Sequence, residues 1–259
     1  MSNRERDWRG YWSEVEPLAS SDLEDALKQV GKTRMGVPVG PEQLDLILEA
    51  IADALALETT DHVVDLGCGN GIVSERIASQ VESVLGVDVS PQLVNDAQSF
   101  RATESLQFVL GDFTDKRLLS EWPGARETGV TWKWYAYEVI QHLSPLELKT
   151  FLTTVAAKVR SEKTGPPKSL QLFLGSIPDR TRIHDFYDTP ERWNFYKRNL
   201  AAGKEQIGTW WTPEELHSLA AEVGFGCQIL PQKTALYTSH YRFHALLSIR
   251  GNEQPEQDD

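Results

Sequence analysis

Apolar positions along the chain recur with two different periods, and the two periods alternate. In segment 41–57, Leu44, Ile47, Leu48, Ile51 and Leu55 share one face at helical spacing. Further along, the alternation predicts strands at 62–66, 83–87, 106–110, 130–137 and 169–177, and helices at 71–80, 91–101 and 145–159. This order is typical of a parallel sheet with helices on both faces.

The alternation stops at residue 178. Residues 178–211 are rich in charged and aromatic side chains and are too long for a simple connection inside a compact domain, so we interpret them as a partly helical insertion. Thr212, Pro213 and Glu215 then give the start signal of a helix, predicted to end near residue 223. Final strands are predicted at 227–230 and 241–249.

These patterns divide the chain into a core and its additions. Leu23, Leu27 and Val30 follow helical spacing in an otherwise polar segment, so residues 1–40 are predicted to form a helical lid over the core. The core comprises residues 41–177 and 212–250, and residues 178–211 are predicted to cap an acceptor site. The polar residues 251–259 are predicted to be a disordered tail.

The charge of the chain narrows the range of partners. Its 26 Lys and Arg face 38 Asp and Glu, which gives a net charge of −12. This argues against nucleic acid or an anionic membrane, because phosphate binding needs a basic surface. No apolar run approaches the roughly 20 residues of a membrane helix, and the first residues lack the apolar stretch of a signal peptide. We therefore expect a soluble cytoplasmic protein, a monomer or a homodimer.

The cysteines and carboxylates do not suggest a metal site. Cys68 and Cys227 are the only cysteines, so a disulfide framework and a thiolate zinc site are excluded. The histidines and carboxylates show no spacing typical of metal ligands, and no metal is predicted.

A glycine-rich turn is the strongest chemical signal. It reads VVDLGCGNG over residues 63–71, directly after a predicted strand and before a predicted helix. Glycines there let the backbone turn tightly and approach a ligand, and the helix start offers N–H groups to an anion. Asp88 ends the next strand, 21 positions after Gly67, a spacing that suits a carboxylate binding ribose hydroxyls. The turn reads G-x-G-x-G and not G-x-G-x-x-G, which argues against a dinucleotide site.

Four segments together resemble the class I S-adenosylmethionine-dependent methyltransferases. They are VVDLGCGNG (63–71), GVDVS (86–90), LGDF (110–113) and YEVIQHL (137–143), and WWTPEELHSLAAEVGF (210–225) is similar to the segment before the last hairpin. The resemblance implies a Rossmann-like α/β fold: a seven-stranded, mostly parallel sheet with an antiparallel last strand, with N-terminal helices and an inserted helical and aromatic lid.

The resemblance also implies cofactor contacts and S-adenosylmethionine as the cofactor. Asp65, Gly67, Cys68, Gly69, Asn70 and Gly71 would meet its methionine part. Asp88 would take the ribose hydroxyls, Val89 would lie against the adenine, and Asp112 and Phe113 would take the adenine edge and face. Tyr137 or Glu138 would lie beneath the sulfonium. Cys68 by itself is interpreted as a small buried residue and not as a nucleophile.

Three residues are candidates for catalysis. Methyl transfer needs an aligned nucleophile, and a base where the acceptor carries a proton that is not acidic enough. His142 follows the fourth strand on the ligand side of the sheet, and a structural role is about as plausible as a catalytic one. His240 and Tyr241 lie near the start of the last strand, where a solvated edge is the alternative.

Aromatic residues supply the predicted acceptor site. Tyr11, Trp12, Trp193, Tyr196, Trp210 and Trp211 flank the predicted cleft, although several of them must simply bury the cap on the sheet. We therefore predict a methyltransferase for a small-molecule acceptor, most readily an oxygen of a specialised or carbohydrate metabolite. N- or C-methylation of an aromatic or amine metabolite, a non-catalytic cofactor-binding protein and a nucleotide-dependent oxidoreductase are the alternatives.

Overall fold

The strands of the computed structural model build a small hairpin and one large sheet. They are β1 (Thr33–Arg34), β2 (Val37–Pro38), β3 (His62–Leu66), β4 (Ser83–Asp88), β5 (Leu106–Leu110), β6 (Thr131–Tyr137), β7 (Ser169–Pro178), β8 (Gly226–Pro231) and β9 (Arg242–Arg250). The structure describes residues 7–117, 130–161 and 167–251. The predicted tail at 251–259 lies outside these residues, apart from Gly251.

Seven of the described strands form the large sheet. Their order is β5-β4-β3-β6-β7-β9-β8. β3 to β7 pair in parallel, whereas β9 is antiparallel to both of its neighbours. The predicted Rossmann-like sheet with an antiparallel last strand is therefore confirmed.

Helices cover both faces of this sheet. They are α1 (Trp8–Ser13), α2 (Leu23–Gln29), α3 (Pro41–Leu55), α4 (Ile72–Ala78), α5 (Pro91–Arg101), α6 (Pro145–Val159), α7 (Ile183–Phe186), α8 (Pro190–Ala201) and α9 (Pro213–Glu222). The predicted core helices and strands agree with these bounds to within about two residues at either end.

Two helices begin with capping boxes, and the one at Thr212 was predicted from the sequence. Ser144 Oγ accepts a hydrogen bond from the Glu147 amide, and the Glu147 carboxylate accepts one from the Ser144 amide at 2.8 Å. Thr212 and Glu215 repeat this reciprocal pair at the start of α9. Each box satisfies backbone donors that a helix start leaves without partners.

Each face of the sheet has its own hydrophobic core. α6 and α9 pack on one face, where Trp132 and Trp134 stack with ring centroids 5.8 Å apart. α2, α3, α4 and α5 pack on the other face against Tyr135 and Phe173. Trp132 and Trp134, which alternate with Lys133 and Tyr135 along β6, therefore belong to the core.

The segments outside the sheet differ in part from expectation. Residues 33–38, read as loop, form a short antiparallel hairpin in which Thr33 pairs with Pro38. Residues 178–211 contain α7 and α8, in agreement with a partly helical insertion. Within the described part of the chain, no helix is long and apolar enough to cross a membrane.

Candidate active site

A cleft opens at the carboxyl ends of β3, β4, β5 and β6, with α1 forming part of its wall. Its empty space, counted with the open mouth, is about 970 Å³. Open parallel sheets bind their ligands at this edge. The lining residues are Trp8, Arg9, Trp12, Val30, Lys32, Asp65, Gly67, Cys68, Gly69, Ile72, Val73, Asp88, Val89, Leu93, Asp112, Phe113, Tyr135, Tyr137, Glu138, Val139, His142 and Leu143.

The predicted cofactor-binding residues meet on this cleft, with the exception of Asn70 and Gly71. Asn70 is buried, and its side-chain amide donates hydrogen bonds to Ala26 O and Gln29 Oε1 on α2. A Cβ at Gly71 would lie 2.5 Å from the Phe108 ring. Asn70 therefore ties the turn to α2, and Gly71 packs against Phe108 of β5. Neither residue lines the cleft, and their contact with the cofactor stays a prediction.

The turn itself needs glycine for conformational reasons. Gly67 and Gly69 have φ angles of 77° and 56°, in the left-handed region that side chains disfavour. A Cβ at Gly67 would also lie 2.6 Å from a methyl carbon of Val139. The backbone is thus exposed to the cleft at a point where no side chain fits.

Asp88 is buried at the end of β4 and is held by two backbone amides. Gly69 N–H donates to Oδ2 and Ser90 N–H donates to Oδ1, both at 2.8 Å. Burial raises the pKa of Asp88, although these hydrogen bonds act in the opposite direction. The carboxylate is therefore fixed in place with one side toward the cleft, as a ribose-binding group requires.

Asp65 is the second buried carboxylate of the cleft. Its Oδ2 accepts hydrogen bonds from Ser74 Oγ at 2.6 Å and Tyr135 Oη at 2.7 Å. Burial raises the pKa of Asp65 to about 6, even though both hydrogen bonds lower it. A cation in the cleft would favour its ionised form.

Asp112 is engaged by the N-terminal helix. Arg9 Nε donates to its Oδ2 at 2.7 Å, and the amide and hydroxyl of Thr114 donate to its Oδ1. Burial opposes ionisation, but the hydrogen bonds from Thr114 and Arg9 outweigh it and lower the pKa of Asp112. Arg9 also donates to Glu147 Oε1 at 2.9 Å, so α1 is tied across this end of the cleft.

Glu138 ends β6 and forms an ion pair inside the cleft. Lys32 Nζ lies 2.8 Å from its Oε2, and Ser176 Oγ and Tyr237 Oη each donate to its Oε1 at 3.2 Å. Burial raises the pKa of Glu138, but Lys32 and Arg242 with these hydrogen bonds lower it to about 2. Glu138 is therefore ionised, and Lys32 lies over the Tyr137 ring at 5.0 Å.

His142 lies on the cleft beside α1. Its ring centroid is 4.4 Å from that of Trp8 and 5.7 Å from that of Trp12. Trp12 lines the cleft as predicted, whereas Tyr11 is 45% exposed beside it. His142 is thus within reach of a ligand, but two indole rings cover it.

The remaining predicted site residues lie off the cleft. Tyr187, Trp210 and Tyr241 are buried together in what we call the aromatic cluster. The partly buried residues packed against them are Ile183, Phe186, Trp193, Tyr196 and Ile207. Trp211 is buried in the core under α9. His240 is exposed beside Tyr241, and burial and Arg34 lower its pKa. None of these residues lines the cleft, and Trp193, Tyr196, Trp210 and Tyr241 pack together in the aromatic cluster. Their contacts with a ligand stay predictions.

Ten of the cleft-lining residues were not among the predicted site residues, and four of them come from the N-terminal segment. Trp8, Arg9, Val30 and Lys32 reach it from α1 and from the end of α2. For Lys32 the sequence does give a signal: Lys32 or Arg34, in a Gly- and Pro-rich segment before α3, could reach the carboxylate of the cofactor's methionine, and a solvated loop is the alternative. Where the N-terminal segment packs depends on tertiary contacts, which no local pattern reports.

Comparison with known proteins finds methyltransferases that are similar to part of this chain. Residues 63–162 match the model of a family described as "Methyltransferase domain". An uncharacterized RNA methyltransferase of Streptococcus pyogenes is 29% identical over 101 residues, 38% of this chain and 22% of the relative. A magnesium-protoporphyrin O-methyltransferase of Rhodobacter capsulatus is 30% identical over 112 residues, 42% of this chain and 49% of the relative. The chain thus spans about a fifth to a half of these relatives.

A solved structure shares the fold over nearly the whole chain. It is the mycolic acid cyclopropane synthase CmaA1, crystallised with S-adenosylhomocysteine (SAH) and CTAB. The TM-score is 0.58 at 11% identity, and the match covers 95% of this chain and 99% of that one. The likeness therefore concerns the fold.

Proposed function

Since this chain belongs by motif and fold to the class I S-adenosylmethionine-dependent methyltransferases, we propose that it transfers a methyl group to a small-molecule acceptor. The observation that carries this proposal is the charge arrangement of the cleft. Asp65, Asp88 and Glu138 lie at the ends of three strands that are neighbours in the sheet, β3, β4 and β6. Asp65 and Asp88 are buried and Glu138 is partly buried, and all three line the cleft where a ligand would lie.

The cleft suits a cationic nucleoside. Among the described lining residues, the carboxylates of Asp65, Asp88, Asp112 and Glu138 outnumber the two cations, Arg9 and Lys32. S-adenosylmethionine carries a sulfonium and an ammonium against one carboxylate, whereas a dinucleotide brings negative phosphates. The negative carboxylates of the cleft attract the cationic S-adenosylmethionine and repel the phosphates of a dinucleotide. This supports S-adenosylmethionine over NAD as the ligand.

The ligand-binding roles follow from position along the cleft. Asp88 would hold the ribose hydroxyls, and Val89, Asp112 and Phe113 would surround the adenine. Asp65 would hold the ammonium group at the opposite end, with the Gly67–Gly69 backbone alongside. The bound cofactor supplies an electrophilic methyl group on its sulfonium. The protein contributes binding, orientation and exclusion of water.

The acceptor is proposed to be a small molecule with an oxygen nucleophile. The net charge of −12 opposes RNA, and the RNA methyltransferase relative matches only part of this chain. The R. capsulatus relative is by name an O-methyltransferase, which supports oxygen over nitrogen or carbon. We also propose that residues 1–40 form a lid and residues 178–211 a cap beside the acceptor.

Turnover tests this proposal directly. The purified chain is incubated with S-adenosylmethionine and pooled phenols, alcohols, amines and RNA, and SAH formation is measured. We expect SAH with hydroxyl-bearing acceptors and none with RNA. SAH only with amines or RNA would contradict the acceptor class. Cofactor binding with no turnover on any acceptor would favour a non-catalytic binding protein.

A further inference from the structure

The ion pair between Lys32 and Glu138 lies on the wall of the cleft. Both side chains are nearly buried, at 7% and 16% exposure, and both line the cleft. A buried carboxylate beside a reaction centre is a potential proton acceptor. With Lys32 2.8 Å away, however, Glu138 is held as a stable anion and cannot serve in that role.

The backbone around Glu138 is strained. Glu138 has φ 61° and Ser176 on the adjacent strand has φ 57°, both in the left-handed region. The two residues are joined, because Ser176 Oγ donates to Glu138 Oε1 and the Glu138 amide donates to Gly175 O. Strain of this kind persists where the surrounding structure demands it and concentrates at functional sites. It aims the Glu138 carboxylate into the cleft.

Charged and titratable groups surround Glu138 from several elements. Lys32 follows α2, Arg242 and His244 belong to β9, and Tyr137 and Tyr237 come from β6 and the segment before β9. Arg242 is fixed elsewhere, since its Nη1 donates to Gln141 Oε1 and Ser176 O at 2.5 Å. Among these groups, Lys32 is the cation that both touches Glu138 and lines the cleft.

The cofactor carries a group that competes for Lys32. If Asp88 and Asp112 hold its nucleoside, its amino-acid end lies toward Asp65, Lys32 and Glu138. Its carboxylate then needs a cation, and of the described cleft residues at this end Lys32 is the one available. A carboxylate–lysine pair formed there draws the ammonium away from Glu138.

We propose, building on the function above, that Glu138 takes the proton of an acceptor hydroxyl, and that Lys32 prevents this until the cofactor's carboxylate binds Lys32. The acceptor oxygen bonds to the methyl carbon as the carbon–sulfur bond breaks, and the bonding pair goes to sulfur. The hydroxyl proton passes to the Glu138 carboxylate. When the product leaves, Lys32 returns to Glu138 and the proton is released to solvent.

Carboxyl-¹³C NMR on glutamate-labelled protein tests this without an acceptor. Glu138→Gln identifies the Glu138 signal by its loss, and the signal is titrated with pH alone, with SAH and with methylthioadenosine. Methylthioadenosine lacks the amino-acid end. We expect SAH to raise the pH of titration from near 2 to above 4, and methylthioadenosine to leave it unchanged.

A lysine variant and a matched control complete the test. Lys32→Met should raise the pH at which Glu138 titrates in the absence of any ligand, and SAH should raise that pH little further. Lys133→Met is the control, because Lys133 forms a comparably buried pair with Asp61 at 2.7 Å away from the cleft. Lys133→Met should leave the pH at which Glu138 titrates unchanged.

The outcomes separate this inference from the proposed function. Binding of SAH with no change in the titration of Glu138 would overturn the inference and leave the proposed function intact. No rise in Lys32→Met would overturn it as well. Failure of SAH to bind would overturn both.

Discussion

Asp88 shows how a single residue of the site is prepared before any ligand arrives. Its two oxygens already accept hydrogen bonds from the amides of Gly69 and Ser90. These bonds fix the orientation of the carboxylate and also hold the glycine-rich turn in place. Removing the side chain would leave two buried N–H groups without acceptors, which costs stability as well as affinity. A conservative substitution therefore tests the role of Asp88 in ligand binding with less effect on stability than truncation of its side chain.

Asp88→Asn should weaken the binding of S-adenosylmethionine about ten- to a hundredfold. A charge-assisted hydrogen bond is worth about 1.5–3 kcal/mol, and about 1.4 kcal/mol corresponds to tenfold in affinity. Calorimetry measures the effect, with Asp96→Asn as control because Asp96 is equally buried but lies off the cleft. Equal affinity in Asp88→Asn and wild type would remove Asp88 from the ribose role.

Asp65 gives the site a pH dependence. Burial raises its pKa to about 6, so it is protonated in the free protein below that pH and charged above it. An ammonium ligand favours the charged form, and its binding must then expel the proton at low pH. Affinity for S-adenosylmethionine should fall by up to tenfold per pH unit below about 6.

Titrations between pH 4.5 and 8 measure this dependence. Asp65→Asn should bind more weakly at neutral pH and should lack the wild-type decline between pH 6 and 4.5. A decline of the same size in Asp65→Asn would assign the titration to another group.

At the scale of elements, α1 is held over the cleft by a few polar contacts. Arg9 reaches Asp112 and Glu147, and Ser90 Oγ donates to Trp12 O at 2.6 Å. None of the α1 residues is buried, so hydrophobic packing adds little to these ties. α1 is therefore the element best placed to open when a ligand enters or leaves.

Arg9→Met should accelerate the dissociation of SAH severalfold while changing the free energy of unfolding by less than about 1 kcal/mol, the usual size for an exposed ion pair. Stopped-flow fluorescence of Trp8 and Trp12 follows the release. Arg76→Met is the control, since Arg76 pairs with Asp45 and has the same 44% side-chain exposure. Identical dissociation rates in Arg9→Met and the control would mean that α1 is not a gate.

The aromatic cluster gives a different prediction at this scale. Trp210 is buried in it and does not line the cleft. Trp210→Ala should lower the free energy of unfolding by about 3–5 kcal/mol, as for other large core truncations, and should leave the SAH affinity of the folded protein unchanged. Denaturant titration and calorimetry measure the two quantities. A loss of SAH affinity with an unchanged free energy of unfolding would indicate that Trp210 contacts the ligand.

For the whole molecule, the sequence predicted the sheet because local signals agree along it. The period of apolar residues, the glycine turn and the capping box at Thr212 each indicate local structure without reference to distant residues. The cofactor side of the cleft was predictable for the same reason, since Asp65, Asp88 and Asp112 follow consecutive strands.

The acceptor side was less predictable. Aromatic residues are typical both of a ligand-binding surface and of a packed core, and composition does not distinguish these two roles. In the aromatic cluster they pack against one another, as Trp193, Tyr196, Trp210 and Tyr241 do. Lys32 and Arg9 reach the cleft through packing of a segment that is polar in sequence. Their roles depend on contacts with residues more than 100 positions away, Glu138 and Asp112.

The measurement that tests the account most directly is a calorimetric titration with S-adenosylmethionine and SAH, with NAD as the control. The charge of the cleft and its glycine turn predict binding of both sulfur nucleosides with one site per chain and no heat with NAD. Binding of NAD in place of S-adenosylmethionine by the folded protein would contradict the account.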